Sequence, residues 1–258
     1  MFLPGLVSIT FRQLSVEEII ALVTQAGLAA VEWGGDIHVP HGDEAQARAV
    51  ARMAADAGLD AAAYGSYYRV GHPETGPFEA VLASAVALGA PQIRVWPGKQ
   101  GSDEADEAYF QTVVEDSRRI ADLAQAEEIG IVYEFHGNTL TDTNAAALRL
   151  LQSVDHANVR SLWQPPRFAA RADNLAGLEM VRPWLEHLHV FHWHLQTGER
   201  RPLAEGEELW RDYLAQAGDP ERTRYALLEF VEDDAPEAFL RDAATLLRWV
   251  SDYPAAKS

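Results

Sequence analysis

The chain contains no cysteine, only three methionines, and no apolar stretch near the roughly 18 residues that cross a bilayer. Without cysteine it has no disulfide, no thiolate metal ligand and no cysteine nucleophile, and that absence fits either redox compartment. Basic residues are also scarce: 21 Lys and Arg stand against 39 Asp and Glu, a formal charge of −18. Such a surface repels phosphate backbones unless it concentrates a basic groove, and no Lys/Arg cluster supplies one, so nucleic acid is not an expected partner. The opening MFLPGLVSITFRQL lacks a basic leader and a small-residue cleavage signal, so the expectation is a soluble, cytoplasmic protein with no membrane partner. Any chemistry must use oxygen and imidazole groups.

What is present is a repeated unit. Five times a helical pattern ends in glycine and an apolar run follows, at Gly27, Gly58, Gly89, Gly130 and Gly218. Glycine takes the left-handed conformation just past a helix without a side-chain clash, so these positions are expected helix stops before parallel strands. Strands are expected near 6–11, 29–33, 60–65, 92–96, 130–135, 159–163, 187–193 and 225–230, each followed by a helix. Eight such units in 258 residues predict a single α/β domain over 1–258, a (β/α)₈ TIM barrel, with 252–258 as a frayed polar tail. An open doubly wound sheet would carry a Gly-rich fingerprint after its first strand, and ITFRQLSVEE has no glycine there. The runs GGDIHVPHGD, PGKQGSDEAD and LQTGERRPLAEG make the loops after strands two, four and seven longer than those after the helices, which puts function on that face. PGKQGSDE, with Lys99, lacks P-loop spacing and reads as a plain loop before the fourth helix, capped by Ser102 or Asp103.

Four polar residues close short apolar runs: Glu134 in IGIVYEF, Gln164 in VRSLWQ, His194 in LHVFHWH and Glu229 in YALLEF. Their gaps of 30, 30 and 35 residues each fit one βα unit, so each stands at a successive strand end. By the two-residue period Glu134 shares a face with Val132 and His136, and Glu229 with Leu227 and Tyr225. In the seventh strand His192 and His194 fall on one face, with His187, His189, Phe191 and Trp193 on the other, and His194 is nearest the mouth. Taken singly, each Glu could pair with an Arg and each His be a satisfied interior residue. Four together suggest a site for one divalent ion, Mn²⁺ first and Mg²⁺, Co²⁺ or Zn²⁺ as alternatives, because hard oxygen donors dominate.

The segments YEFHGNTL, LWQPP, HWHLQTGER and LLEF resemble those of the xylose isomerase-like barrels, which group sugar isomerases and epimerases with an apurinic-site endonuclease. The resemblance covers the whole chain and implies one divalent metal held by Glu134, Gln164, His194 and Glu229, with Glu134 and Glu229 as the proton-transferring pair. In the ketose 3-epimerase branch an Arg six residues after the metal His contacts substrate, and Arg200 stands six after His194. Two positions depart from the pattern: Gln164 replaces an Asp, and Arg167 replaces a His. A Gln carbonyl can ligate a hard cation but brings no charge, so the expected site binds metal more weakly.

Arg200, Arg167, His136, His192, Trp96, Trp33, His38 and Tyr64 are the candidate substrate contacts around the mouth, where Tyr67 and Lys99 also stand. Aromatic faces suit sugar C–H surfaces, although an aromatic near a strand end is more often core. The expected function is a metal-dependent isomerase or epimerase acting on a small carbohydrate or polyol ketone through an enediolate. The alternative is a lyase or dehydratase acting on a keto-sugar, keto-glycoside or inosose. A hydrolytic endonuclease is disfavoured by the acidic charge and by Gln164 and Arg167, and a non-catalytic sugar-binding barrel is the remaining reading. A homo-oligomer is compatible with the sequence, which leaves the oligomeric state open.

Overall fold

Ser15 and Glu18 start the first helix together: Ser15 Oγ accepts from the Glu18 amide, while Glu18 Oε2 accepts from the Ser15 amide at 2.7 Å. The helix (α1, Val16–Ala26) ends at Gly27, whose φ of 72° is the left-handed stop its sequence predicts. In a computed structural model, which describes residues 1–72, 74, 76–166 and 168–252, this unit repeats eight times. The strands are β1 (Phe2–Val7), β2 (Ala30–Gly34), β3 (Asp60–Arg69), β4 (Gln92–Trp96), β5 (Gly130–Tyr133), β6 (Val159–Trp163), β7 (Leu185–Val190) and β8 (Arg224–Leu228). After α1 come α2 (Glu44–Asp56), α3 (Phe78–Leu88), α4 (Glu107–Ala126), α5 (Asn144–Val154), α6 (Arg171–Val181), α7 (Glu207–Ala217) and α8 (Pro236–Ser251). All neighbouring strands are parallel and β8 closes on β1, so the (β/α)₈ barrel is as expected. No helix among the described residues is long and apolar enough to cross a membrane.

Several expected boundaries move. The first strand is 2–7, not 6–11; residues 8–11 form a 3-10 turn instead. Pro4 and Gly5 look like strand breakers, yet Gly5 is required here, because a Cβ would stand 2.5 Å from the Ala30 carbonyl of the neighbouring strand. Gly130 opens β5 rather than ending a helix, and Glu128, with φ of 60°, takes the left-handed position. Gly218 is not left-handed either, with φ of −59°. The cap of α4 is Asp106, which accepts from the Tyr109 amide at 2.8 Å, and neither Ser102 nor Asp103. The seventh strand stops at Val190, three residues short of its expected end, because a hairpin bridging Trp193 to Arg200 takes over. Only Asp252 of the expected tail lies among the described residues.

A large apolar layer between strands and helices buries Trp33 and Trp163 from the strands and Trp210 and Trp249 from the helices. A smaller cluster of Val7, Ile9, Ala30, Ala62 and Leu227 fills the barrel itself. What stands above it is polar.

Candidate metal and proton-transfer site

Two residues beyond Ala30 and Leu227 on the same inward faces come Glu32 and Glu229. Gln92 and Arg94 enter from β4, His187 and His189 from β7, and Glu134 from the end of β5, all buried. Arg94 ties this layer together. Its Nε donates to Glu32 Oε1 at 2.6 Å, and its Nη1 donates to Glu134 Oε2, which also accepts from Trp96 Nε1. The second Glu32 oxygen faces His189 Nε2 at 3.1 Å and His187 Nε2 at 3.5 Å. Gln92 Nε2 stands 3.1 Å from His187 Nδ1 and has only hydrogens to give, so the His187 proton belongs on Nε2, toward Glu32.

Electrostatics follow from this packing. Burial alone would lift the Glu32 carboxyl, but Arg94 and His189 hold it well below the usual carboxylate range. Burial works against the Arg94 charge, and Glu134 and Glu32 more than offset it. His189 is likewise opposed by burial, yet Glu32 and Glu229 push it up to about 10. His187 is lowered by burial, and Glu229 is raised by burial against the pull of His189. The arrangement leaves no room at β3: a Cβ on Gly65 would stand 2.6 Å from Arg94 Nη2 and 2.8 Å from Glu32 Oε1. Gly65→Ala should therefore displace the ion pair and lower the unfolding free energy by about 1–3 kcal/mol, read from urea titration.

The donor set fits a divalent cation. Glu134, His189 and Glu229 offer ligand atoms that all lie within 4.8 Å of one another. Gln164 Oε1, His189 Nδ1 and Glu229 Oε2 are buried without a hydrogen-bond partner, the last two facing each other 3.2 Å apart as an ion pair. A buried polar atom left unsatisfied costs about 1–3 kcal/mol, and one cation in reach of these atoms would answer all three. With its Nε2 held by Glu32, His189 turns Nδ1 toward Glu229, and a carboxylate behind an imidazole is the usual way a metal-binding ring is oriented. A cavity of about 620 Å³ opens above, lined by Arg12, Tyr67, Trp96, His136, Gln164 and Arg200 among others.

The structure brings Glu134, Gln164 and Glu229 together as their spacing suggests, and replaces the fourth member. His194 does not reach them. The 193–200 hairpin, closed by the His194 amide on Glu199 O at 2.8 Å, carries it to a separate cavity of about 380 Å³ between the loops after β6 and β7, where its Nδ1 meets Thr197. His189 lies beside Glu134 and Glu229 instead, so the inward face of β7 is the one that sequence reasoning turned outward. His192 lines that second cavity too, against Gly206.

Among the candidate substrate contacts, Trp96, His136 and Arg200 line the main cavity, with the His136 ring stacked 4.4 Å from Trp96 and Arg200 paired to Asp234. Trp33, His38 and Tyr64 do not line it. Trp33 is fully buried, His38 bonds Ser8 Oγ at 2.9 Å, and Tyr64 donates to Val39 O at 2.7 Å, so these three pack the wall. Arg167 lies outside the described residues. Lys99 pairs with Glu74 on the rim. The residues that sequence reasoning missed are Glu32, Arg94, His187 and His189. One signal was available: Glu32 in AVEWG and Arg94 in QIRVW are opposite charges inside strands that a barrel covers on both faces.

Comparison with known proteins agrees with this architecture. A 3-dehydroshikimate dehydratase of Bacillus anthracis is 32% identical over 104 residues, a stretch covering 38% of this chain and 35% of that enzyme, about a third of the relative's length. The crystal structure of a probable 3-DHS dehydratase from Bacillus anthracis superposes with a TM-score of 0.78 at 22% identity, covering 96% of this chain and 99% of that one. D-psicose 3-epimerase, crystallised in the presence of D-fructose, superposes at 0.72 with 17% identity, covering 98% and 99%. At these identities the two structures speak for the fold. Residues 20–249 match the xylose isomerase-like TIM barrel family along nearly the whole barrel, and the chain belongs to that family.

Proposed function

We propose that the chain is a metal-assisted dehydratase: it takes a proton from the carbon next to a carbonyl of a small polyhydroxylated ketone and expels the hydroxyl on the following carbon. Glu134, His189, Glu229 and the carbonyl of Gln164 would hold the divalent ion, with Mn²⁺ first among the candidates for this donor set. When bound, the ion supplies Lewis-acid polarisation of the substrate carbonyl.

The observation that carries the choice is the commitment of Glu134. Epimerisation through two carboxylates needs a free proton acceptor on one face and a donor on the other. Glu134 already accepts from Arg94 and Trp96 through one oxygen and lies 3.4 Å from Gln164 Nε2 through the other. The uncommitted base at the mouth is His136. Its Nδ1 lies 2.6 Å from the Gly137 carbonyl, which can only accept, so Nδ1 carries the proton and Nε2 keeps its lone pair. Stacking on Trp96 holds the ring at the cavity wall. His136 takes the proton, the released electron pair forms the carbon–carbon double bond, and the imidazolium returns that proton to the departing hydroxyl, which leaves as water. One base on one face completes this cycle, whereas epimerisation requires two. The likeness to a 3-dehydroshikimate dehydratase supports the reading and suggests a cyclic keto acid as substrate.

Isomerisation or epimerisation of a small carbohydrate or polyol ketone, the function expected first from the sequence, is the second reading and shares the first proton abstraction. Manganese-loaded protein offered 3-dehydroshikimate and a ketose panel should give a product lighter by one water, in a reaction that chelation stops. His136→Ala should lower kcat by about 10²–10⁴-fold while metal content stays at the wild-type level. An epimer of unchanged mass, or turnover indifferent to chelation, contradicts the dehydratase reading.

A further inference from the structure

We infer that Gln164 sets the charge of the mouth so that the site favours a substrate bearing a carboxylate over a neutral polyol, an inference that rests on the metal-assisted reading above. Gln164 Nε2 donates to the Phe135 carbonyl at 2.6 Å and stands 3.4 Å from Glu134 Oε1. Both partners are acceptors, so the amide is fixed with its hydrogens toward them and its carbonyl oxygen free in the cavity, buried and unpartnered. A carboxylate at this spot would set an oxygen against two other acceptors. The neighbours therefore select an amide over an acid.

The consequence is a matter of charge. Three buried carboxylates, Glu32, Glu134 and Glu229, surround one guanidinium, Arg94. With a divalent ion bound and His189 neutral as its ligand, these charges cancel. A fourth carboxylate would leave the buried site negative, and like charges repel strongly where water is excluded. Gln164 leaves the site neutral, so one anionic oxygen from the substrate can join the ion without that repulsion. Arg12 and Arg200, each paired with an aspartate, line the same cavity.

The test uses a matched pair of small probes: pyruvate, which sets a carboxylate beside a carbonyl, and hydroxyacetone, its uncharged counterpart. Each is titrated into manganese-loaded wild-type protein and into Gln164→Glu, with manganese affinity measured separately by electron paramagnetic resonance. Wild type should bind pyruvate at least about tenfold more tightly than hydroxyacetone. Gln164→Glu should tighten manganese roughly tenfold, weaken pyruvate roughly tenfold and leave hydroxyacetone within about twofold. Gln164→Met, which stays neutral but drops the oxygen, should lose manganese affinity and keep the order of the two probes. Wild type that does not prefer pyruvate, Gln164→Glu with unchanged pyruvate affinity, or Gln164→Met with the order reversed overturns the inference. Wild type that binds no manganese instead overturns the metal reading beneath it.

Discussion

Replacing His189 with alanine should weaken divalent-metal binding by at least about a hundredfold and abolish metal-dependent turnover, whereas His194→Ala should leave metal affinity within about twofold. The two residues are five apart, and the spacing pointed to His194 alone. Only His189 lies within reach of Glu134 and Glu229. Its ring is also braced from behind, since Nε2 stands 3.1 Å from Glu32 while Nδ1 faces Glu229 at 3.2 Å. His194 sits beyond the end of β7, on a hairpin that turns it to Thr197. Metal analysis of the two purified variants separates these positions directly. Glu32→Gln should fall between them, about 10–100-fold weaker than wild type, because it keeps the ligand and loosens its orientation.

The second large effect belongs to Arg94. Removing it leaves Glu32 and Glu134 buried without their cation, and breaking a buried ion pair from one side costs about 3–5 kcal/mol. Arg94→Met should thus lower the unfolding free energy of the metal-free protein by that amount in urea titration. Arg94→Lys should recover only part of it, since an ammonium donates from a single nitrogen, whereas Arg94 reaches Glu32 through Nε and Glu134 through Nη1. Added divalent metal should restore more stability to Arg94→Met than to wild type, because the ion then supplies the missing charge beside Glu134. Equal unfolding free energies for Arg94→Met and wild type would mean that the buried network contributes little.

Much of this architecture could be read from the chain because its signals are local. Helix, glycine stop and apolar strand recur within about 30 residues, and the alternation in β5 and β8 alone turns Glu134 and Glu229 inward. The failures also have local causes. In β7 histidine occurs on both parities, so period two offers two faces of similar composition, and the choice depended on a strand end that the hairpin at Trp193 and Arg200 brought forward. β1 hid behind Pro4 and Gly5, whose lack of an amide hydrogen and of a side chain suits a position crowded by Ala30. Glu32 and Arg94 were missed for a different reason. Each alone is one charged residue in a strand, and only the assembled barrel brings together residues 62 apart in sequence, across β3. The same holds for His189 and Glu32, 157 apart.

Anomalous diffraction from a crystal soaked in Mn²⁺ tests the central claim most directly. One peak within bonding distance of Glu134, His189 Nδ1, Glu229 and Gln164 Oε1, with Arg94 still joined to Glu32, is the expected result. A peak at His194 in the neighbouring cavity, or full manganese loading with no peak among these four residues, would contradict it.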